Sequence, residues 1–218
     1  MKVLLIDDHA LFRDGISLVL AKLEPNVQVF NACSYEDALP VIHKNPDLDL
    51  LLLDLGLPGL SDIEVLKAVR NELPATPVVV LSSNDDGVKV QQILQLGAQG
   101  YIPKSTNAEL IISALKLVLS GGIYIPPEIL PLLEKETGSP ANNKVDATDM
   151  PLTPRQLDVL HKLIHGHSNK EIGKILNMAE STVRAHVAAI FKTLNVSNRS
   201  RAVHLALQKG WGTVEQAR

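Results

Sequence analysis

The sequence predicts an α/β domain with a doubly wound, five-stranded parallel sheet, followed by a small all-α domain of four helices. Three observations carry this reading. Short apolar runs at residues 3–6, 27–30, 50–53, 78–81 and 101–103 alternate with helix-patterned segments over the first 120 residues. Continuous apolar runs of that length are strands buried on both faces, as in parallel sheets. From residue 151 the strand signals cease and helix-start signals follow one another. Charge divides the chain in the same region. Residues 1–120 carry 9 Lys and Arg against 15 Asp and Glu, residues 121–150 carry 2 against 5, and residues 151–218 carry 10 against 4. An acidic front and a basic back suggest two domains, the second suited to a polyanion.

Each element has its own local reason. Phe12, Ile16, Val19, Leu20 and Leu23 give the first helix a core-facing stripe. Ser34 is placed to cap the second helix, which Pro40 should kink or shorten. The third helix follows Pro58-Gly59 and ends before Pro74, and the fourth runs from near Asp85 and Asp86 to Gly97. The fifth opens on a capping box, Thr106-x-x-Glu109, and stops at Gly121-Gly122. Strand five contains Pro103, which has no N–H to donate and therefore belongs at a sheet edge. Beyond Pro126 a short helix is expected at 129–135 and a flexible linker at 137–149. Thr153-Pro-Arg-Gln156 and Ser168-Asn-Lys-Glu171 are capping boxes, and Gly166, Asn177, Asn195 and Gly210 are left-handed stops. Short helices so spaced form a compact helix-turn-helix module. The expected division is 1–121 for the first domain, 122–149 for the linker and 150–213 for the second domain.

Bulk properties exclude several classes. The single cysteine, Cys33, rules out an internal disulfide framework and fits a reducing compartment. Because it follows Val27, Val29 and Phe30, it is expected to be a buried, inert thiol. The N-terminus turns acidic at Asp7, unlike a signal peptide, and no apolar stretch nears the ~20 residues of a membrane span. A soluble, cytoplasmic protein is expected.

The chemistry lies at strand ends. Asp7 and Asp8, Asp54, Ser82 and Lys104 each stand at or just past the C-terminal end of an apolar run. In open α/β sheets ligands sit at those carboxyl ends. One edge thus gathers three acids, a hydroxyl and an ammonium. Crowded acids repel unless a cation or proton joins them, which implies an oxygen-ligated divalent ion. Such a site suits phosphorylation of one carboxylate.

The ordered set of motifs resembles a known family. Asp7-Asp8-His9, Asp54-Leu-Gly-Leu-Pro-Gly59, Ser82 and Gly100-Tyr-Ile-Pro-Lys104 make residues 1–120 similar to a bacterial response-regulator receiver domain, a flavodoxin-like fold. Leu152-Thr-Pro-Arg, Gly166-x-Ser168-Asn-Lys-Glu-Ile172, Ser181-Thr-Val183, His186-Val187 and Asn198-Arg199 make residues 150–212 resemble the helix-turn-helix of the LuxR/FixJ/NarL class of response regulators. The resemblance implies that Asp54 is the phosphoacceptor and that Asp8, Asp54 and the Gly56 carbonyl hold Mg²⁺, with Asp7 acting through a water. Mg²⁺ and Lys104 would neutralise the transferred oxygens, Ser82 would hydrogen-bond one of them, and Tyr101 would turn inward behind it as a switch. Two departures stand out. Asp62 occupies a position where the family often has glycine, so the loop to the third helix is expected to differ. Ala179 replaces the usual Ser or Thr helix cap, at a cost of about 0.5–2 kcal/mol.

The basic module allows a geometric test. At about 100° per residue over 180–194, Val183, Val187, Ile190 and Leu194 fall within about 60° of one another. Ser181, Arg184, Ala185, Ala188 and Lys192 lie away from that stripe, giving a face that is basic and small, as a helix entering a major groove requires. Arg184 is expected to read a base and Lys192, Thr182 and Lys170 to meet phosphates. Val203 and Leu207 form a second apolar face on the last helix, which suggests a homodimer. His161, His165 and His167 straddle a helix end without acids and are not read as a metal site.

The expected protein is a transcription regulator rather than an enzyme, with double-stranded DNA, a sensor histidine kinase, a second copy of itself and RNA polymerase as partners. A haloacid-dehalogenase-type phosphohydrolase would need a second acid two residues after the nucleophile, where Gly56 stands. A constitutive binder would not need Asp7, Asp8, Asp54, Ser82 and Lys104 together. The 3% aromatic content gives no sign of a pocket for a small amphiphile.

Overall fold

β1 (Lys2–Ile6), β3 (Leu50–Asp54) and β4 (Val78–Ser82) carry apolar side chains on both faces, so they can lie only in the middle of a covered sheet. β2 (Gln28–Ala32), with polar residues at Gln28 and Asn31, and β5 (Gly100–Pro103), with its proline, take the edges. The computed structural model, which describes residues 1–59, 61–83, 87–129, 152–209 and 211, gives the order β2-β1-β3-β4-β5, all parallel.

Side chains alternate strictly between two core layers. Leu4, Ile6, Leu51, Leu53, Val78, Val80 and Tyr101 face one layer, closed by α2 (Tyr35–Lys44), α3 (Asp62–Glu72) and α4 (Gly87–Gln95). Val3, Leu5, Leu50, Leu52, Val79, Leu81 and Ile102 face the other, closed by Ile16 and Leu20 of α1 (Ala10–Leu23) and by Ile111, Ala114, Leu115 and Val118 of α5 (Ala108–Leu119). The chain order reverses between β1 and β3, and this topological switch point opens a crevice at the strands' carboxyl ends.

Several local expectations change. α2 continues through Pro40 to Lys44, and Ser34 caps it by accepting a hydrogen bond from the Asp37 N–H at 3.2 Å. α5 starts one residue later than the Thr106 box implies. The Asn107 side chain accepts from the Leu110 N–H at 2.9 Å and so caps the helix, while the Thr106 N–H closes a turn onto the Pro103 carbonyl. Cys33 is exposed rather than buried, because Ala32 takes the inward position and the following residue points away from the core. The expected start of α4 at Asp85 and Asp86, all but the first residue of the helix expected at 129–135, the linker at 137–149 and the stop at Gly210 lie outside the described residues.

The segment after α5 packs onto the first domain. The Tyr101 N–H donates to the Tyr124 carbonyl and the Tyr124 N–H to the Gln99 carbonyl, both at 3.0 Å, which adds a one-residue parallel bridge to the β5 edge. Ile129, 2% exposed, enters the layer that holds Tyr101. The chain divides into the units Met1–Lys135 and Glu136–Arg218, so the residues just after 122 belong with the first.

The second unit contains α6 (Pro154–Ile164), α7 (Asn169–Leu176), α8 (Glu180–Thr193) and α9 (Arg199–Gln208). Both capping boxes form, and Gly166, Asn177 and Asn195 have positive φ, ending their helices as expected. Val159, Leu160, Leu163, Ile172, Val183, Val187, Ile190, Ala202 and Ala206 make its core. Gly173 lets α7 approach the turn into α8: a Cβ there would lie 2.8 Å from the Met178 carbonyl oxygen, and the Met178 N–H donates to the Gly173 carbonyl. Gly173→Ala should therefore destabilise this unit by about 1–3 kcal/mol despite the better helix propensity of alanine. Denaturant unfolding followed by circular dichroism measures this, and a more stable variant contradicts the close approach.

Candidate functional site

At the switch point, β1 delivers Asp7 and Asp8 and β3 delivers Asp54. Asp7 and Asp54 are 0% and 3% exposed, while Asp8 sits at the mouth. β5 and the turn after it bring Lys104 across, with Nζ 2.9 Å from Asp7 Oδ2 and 2.8 Å from Asp54 Oδ2. Phe12 of α1 lies under the ammonium, its ring centroid 4.7 Å away. Ser82 ends β4, 2% exposed, and its carbonyl accepts from the Lys104 N–H at 2.7 Å, tying the hydroxyl and the ammonium to one edge. Of the five side chains named from the sequence, the three acids and the ammonium thus converge, with Ser82 at the neighbouring strand end.

The pocket is electrostatically loaded. Burial pushes the Asp54 carboxyl up from 3.8 to about 6, and the Asp7 and Asp8 charges add to this while Lys104 opposes it. Burial alone would lower Lys104, but hydrogen bonds and charge from Asp54 and Asp7 carry it above its ordinary value. Asp54 Oδ1 is buried with no hydrogen-bond donor. Ligand atoms of Asp7, Asp8, His9 and Asp54 all lie within 4.8 Å of one another. A hard, oxygen-seeking cation fits this donor set.

His9 received no role from sequence. Its Nδ1 lies 2.7 Å from Asp8 Oδ1 and 3.3 Å from Asp7 Oδ1, on the exposed rim, while its N–H donates to Asp7 Oδ1 at 2.8 Å. Its position directly after two acids was the available signal. Asp62, noted only as a departure, accepts from the Gly56 N–H at 2.7 Å through Oδ1 and pairs with Lys89 of α4 through Oδ2.

In the second unit, Lys170, Ser181, Thr182, Ala185 and Lys192 are exposed and Ala188 is half-buried. Arg184 differs from expectation. It is 8% exposed, folded along α8 with its guanidinium on Glu180 one turn earlier. The i,i+4 spacing and the pull of a first-turn carboxylate account for this. Ala179 makes no side-chain cap, as its methyl group requires.

Comparison with known proteins decides the family. Residues 3–116 match the response regulator receiver domain, and residues 150–206 match the bacterial regulatory proteins of the luxR family. The chain is 40% identical to the glycerol metabolism activator of Pseudomonas putida over 93% of both chains. It is 30% identical to the nitrate/nitrite response regulator NarP of Escherichia coli K12 over 95% of both. A solved structure of the Salmonella typhimurium RcsB response regulator, concerned with its DNA interaction, covers 95% of this chain and 99% of its own at 25% identity, with a TM-score of 0.53.

The chain belongs to the response regulators of the LuxR class.

As a response regulator it combines a receiver with a LuxR-type DNA-binding domain and is homologous to transcriptional regulators, a family in which phosphorylation by a kinase is the general mechanism. Among the described residues no helix is long and apolar enough to cross a membrane. Its Tyr101 is already inside, 1% exposed in the α4-side layer, so an inward turn cannot be the change from this state. All described peptide bonds, including the one between Lys104 and Ser105, are trans.

The raised Asp54 value has a sign. A carboxyl whose folded pKa exceeds its unfolded one lends stability that is full below about pH 4 and lost as pH rises through about 6. A rise from 3.8 to about 6 corresponds to about 3 kcal/mol, reduced by solvent screening at the pocket mouth to about 1–2 kcal/mol. Asp54→Asn should therefore be more stable than the native response regulator at pH 7.5 without divalent cations, and the gain should vanish near pH 4. Thermal melts at both values check this, and an unchanged melt at pH 7.5 contradicts it.

Proposed function

We propose that this response regulator accepts a phosphoryl group on Asp54 from a sensor histidine kinase and thereby controls binding of α8 to double-stranded DNA. One observation carries the reading. A buried carboxylate with one oxygen on Lys104 and the other without a donor sits among two further acids at the sheet's switch point.

Asp8, Asp54 and the Gly56 carbonyl, with Asp7 through a water, would hold Mg²⁺. When bound, the ion neutralises charge on the transferred oxygens. In the transfer, an Asp54 oxygen forms a bond to phosphorus as the bond from phosphorus to the donor's imidazole nitrogen breaks, and the imidazole leaves with the electron pair. Lys104 stays within reach of both buried acids and balances the added charge. Ser82, at the next strand end, donates its hydroxyl to a phosphoryl oxygen. The product carries about −1.5 to −2 charge where a single negative charge stood, which biases the α4–β5 face on which Tyr101 packs.

On DNA, Thr182, Lys170 and Lys192 would meet phosphates, and Ser181, Ala185 and Ala188 would leave room for the groove. Arg184 would read a base by exchanging Glu180 for a base edge. A homodimer would use the face of α9 that carries Leu207, 55% exposed, and RNA polymerase is a further partner. The protein acts in the cytoplasm and is not an enzyme; Mg²⁺ serves its own modification.

Radiolabelled acetyl phosphate with Mg²⁺ should label the native chain in a hydroxylamine-sensitive linkage and leave Asp54→Asn unlabelled. Full labelling of that variant refutes the site. In selections from random duplexes, Arg184→Ala should lose about 1–3 kcal/mol at one base position. Lys192→Ala should weaken all sequences alike and reduce the salt slope by about 1. An unchanged preference for Arg184→Ala removes its reading role.

A further inference from the structure

We infer that Asp62 is a positioning residue for the cation site, acting through the backbone at Gly56; this rests on the reading of Gly56 as a carbonyl ligand given above. The loop between β3 and α3 must present that carbonyl to the acidic pocket, yet short loops are the least constrained part of an α/β domain. Here two consecutive amides are fixed. The Leu55 N–H donates to the Leu81 carbonyl of β4 at 3.1 Å, and the Gly56 N–H donates to Asp62 Oδ1 at 2.7 Å. With the peptide plane entering Gly56 held by its N–H, the φ and ψ torsions of Gly56 aim its carbonyl from a fixed base. Gly56 adopts φ +106, a conformation that L side chains rarely reach, and the hydrogen bond holds a residue which is otherwise permissive.

The Asp62 carboxylate is itself held. Asp62 is the first residue of α3, after the cap Ser61, whose capping box with Glu64 fixes that helix end. Its second oxygen pairs with Lys89 of α4, and both side chains are largely withdrawn from solvent, at 17% and 30% exposure. A charge-assisted bond to an N–H is stronger than a neutral one, and the Lys89 ammonium offsets the cost of a fourth acid near the pocket. Glycine at this position, as receivers often have, would supply neither bond. This chain thus replaces backbone freedom at the start of α3 with a side-chain clamp reaching from α4 to the ligand loop. Residues orienting a metal ligand typically change metal affinity by about 10–100-fold when removed.

The test uses the full ¹⁵N-labelled chain and Mg²⁺ alone. In the native protein the Gly56 amide proton should resonate downfield, as expected for donation to a carboxylate. Asp62→Gly should move it upfield and weaken Mg²⁺ binding, measured by calorimetry, by about tenfold. Asp62→Asn, which keeps a carbonyl acceptor, should hold the resonance near its native place and restore affinity to within about threefold. A Gly56 resonance unmoved in Asp62→Gly, or native Mg²⁺ affinity in that variant, overturns the inference. Asp54→Asn separates it from the parent reading. If that variant binds Mg²⁺ as the native chain does, the cation site itself is wrong, whereas loss there with full retention in Asp62→Gly rejects the role of Asp62 alone.

Discussion

Mutual repulsion among Asp7, Asp8 and Asp54 is the constraint on which the rest of the first domain turns. Two of these carboxylates are almost wholly withdrawn from water, where charge is least screened. They stay together because strands buried on both faces leave no other course for the backbone, and because Lys104 reaches both from the far side of the pocket. Burial first, with the charges of Asp7 and Asp8 adding to it against the pull of Lys104, raises the Asp54 carboxyl. A cation or a phosphoryl group changes the balance of charge at one point, and a sheet packed on both sides passes the change to its neighbours rather than absorbing it.

Those neighbours are identifiable. The carbonyl of Ser82 holds the Lys104 amide, and β5, only four residues long, then carries Tyr101 into the α4-side layer. The same Tyr101 amide is bonded to Tyr124, and Ile129 lies in the same layer as its ring. The start of the connection toward the second domain is therefore joined to the strand beside the acidic pocket, through backbone hydrogen bonds and shared burial. A shift at Tyr101 would reach the connecting segment without an intermediary.

Much of this was legible in the residues, and the misses have physical causes. Apolar runs ending in Asp7, Asp54, Ser82 and Lys104 located one sheet edge, because strand burial and strand-end chemistry are local to the chain. The Thr106 box failed by one residue because Asn107 competes for the same amides and its carboxamide reaches Leu110. Cys33 was misplaced because an apolar run does not say where alternation ends. Arg184 fell on a flank by angle alone, but the carboxylate of Glu180, one turn away, decides where its guanidinium rests. Asp62 could be seen as unusual, yet its bond to Gly56 joins residues brought together by a loop whose course no pattern encodes.

Sequence alone determined the two-domain plan, the edge position of β5, the capping boxes of α6 and α7, the strand-end acids and the basic helical module. Each follows from the hydrophobicity, backbone freedom or charge of residues near one another in the chain. Tertiary structure alone decided that Lys104 touches Asp7 and Asp54 at once, that Tyr101 is already inside, that the segment around Tyr124 extends the sheet and that Asp62 joins α4 to the Gly56 amide. Those are contacts between segments tens of residues apart or across loops, and distance and orientation there come from packing, not from the order of side chains.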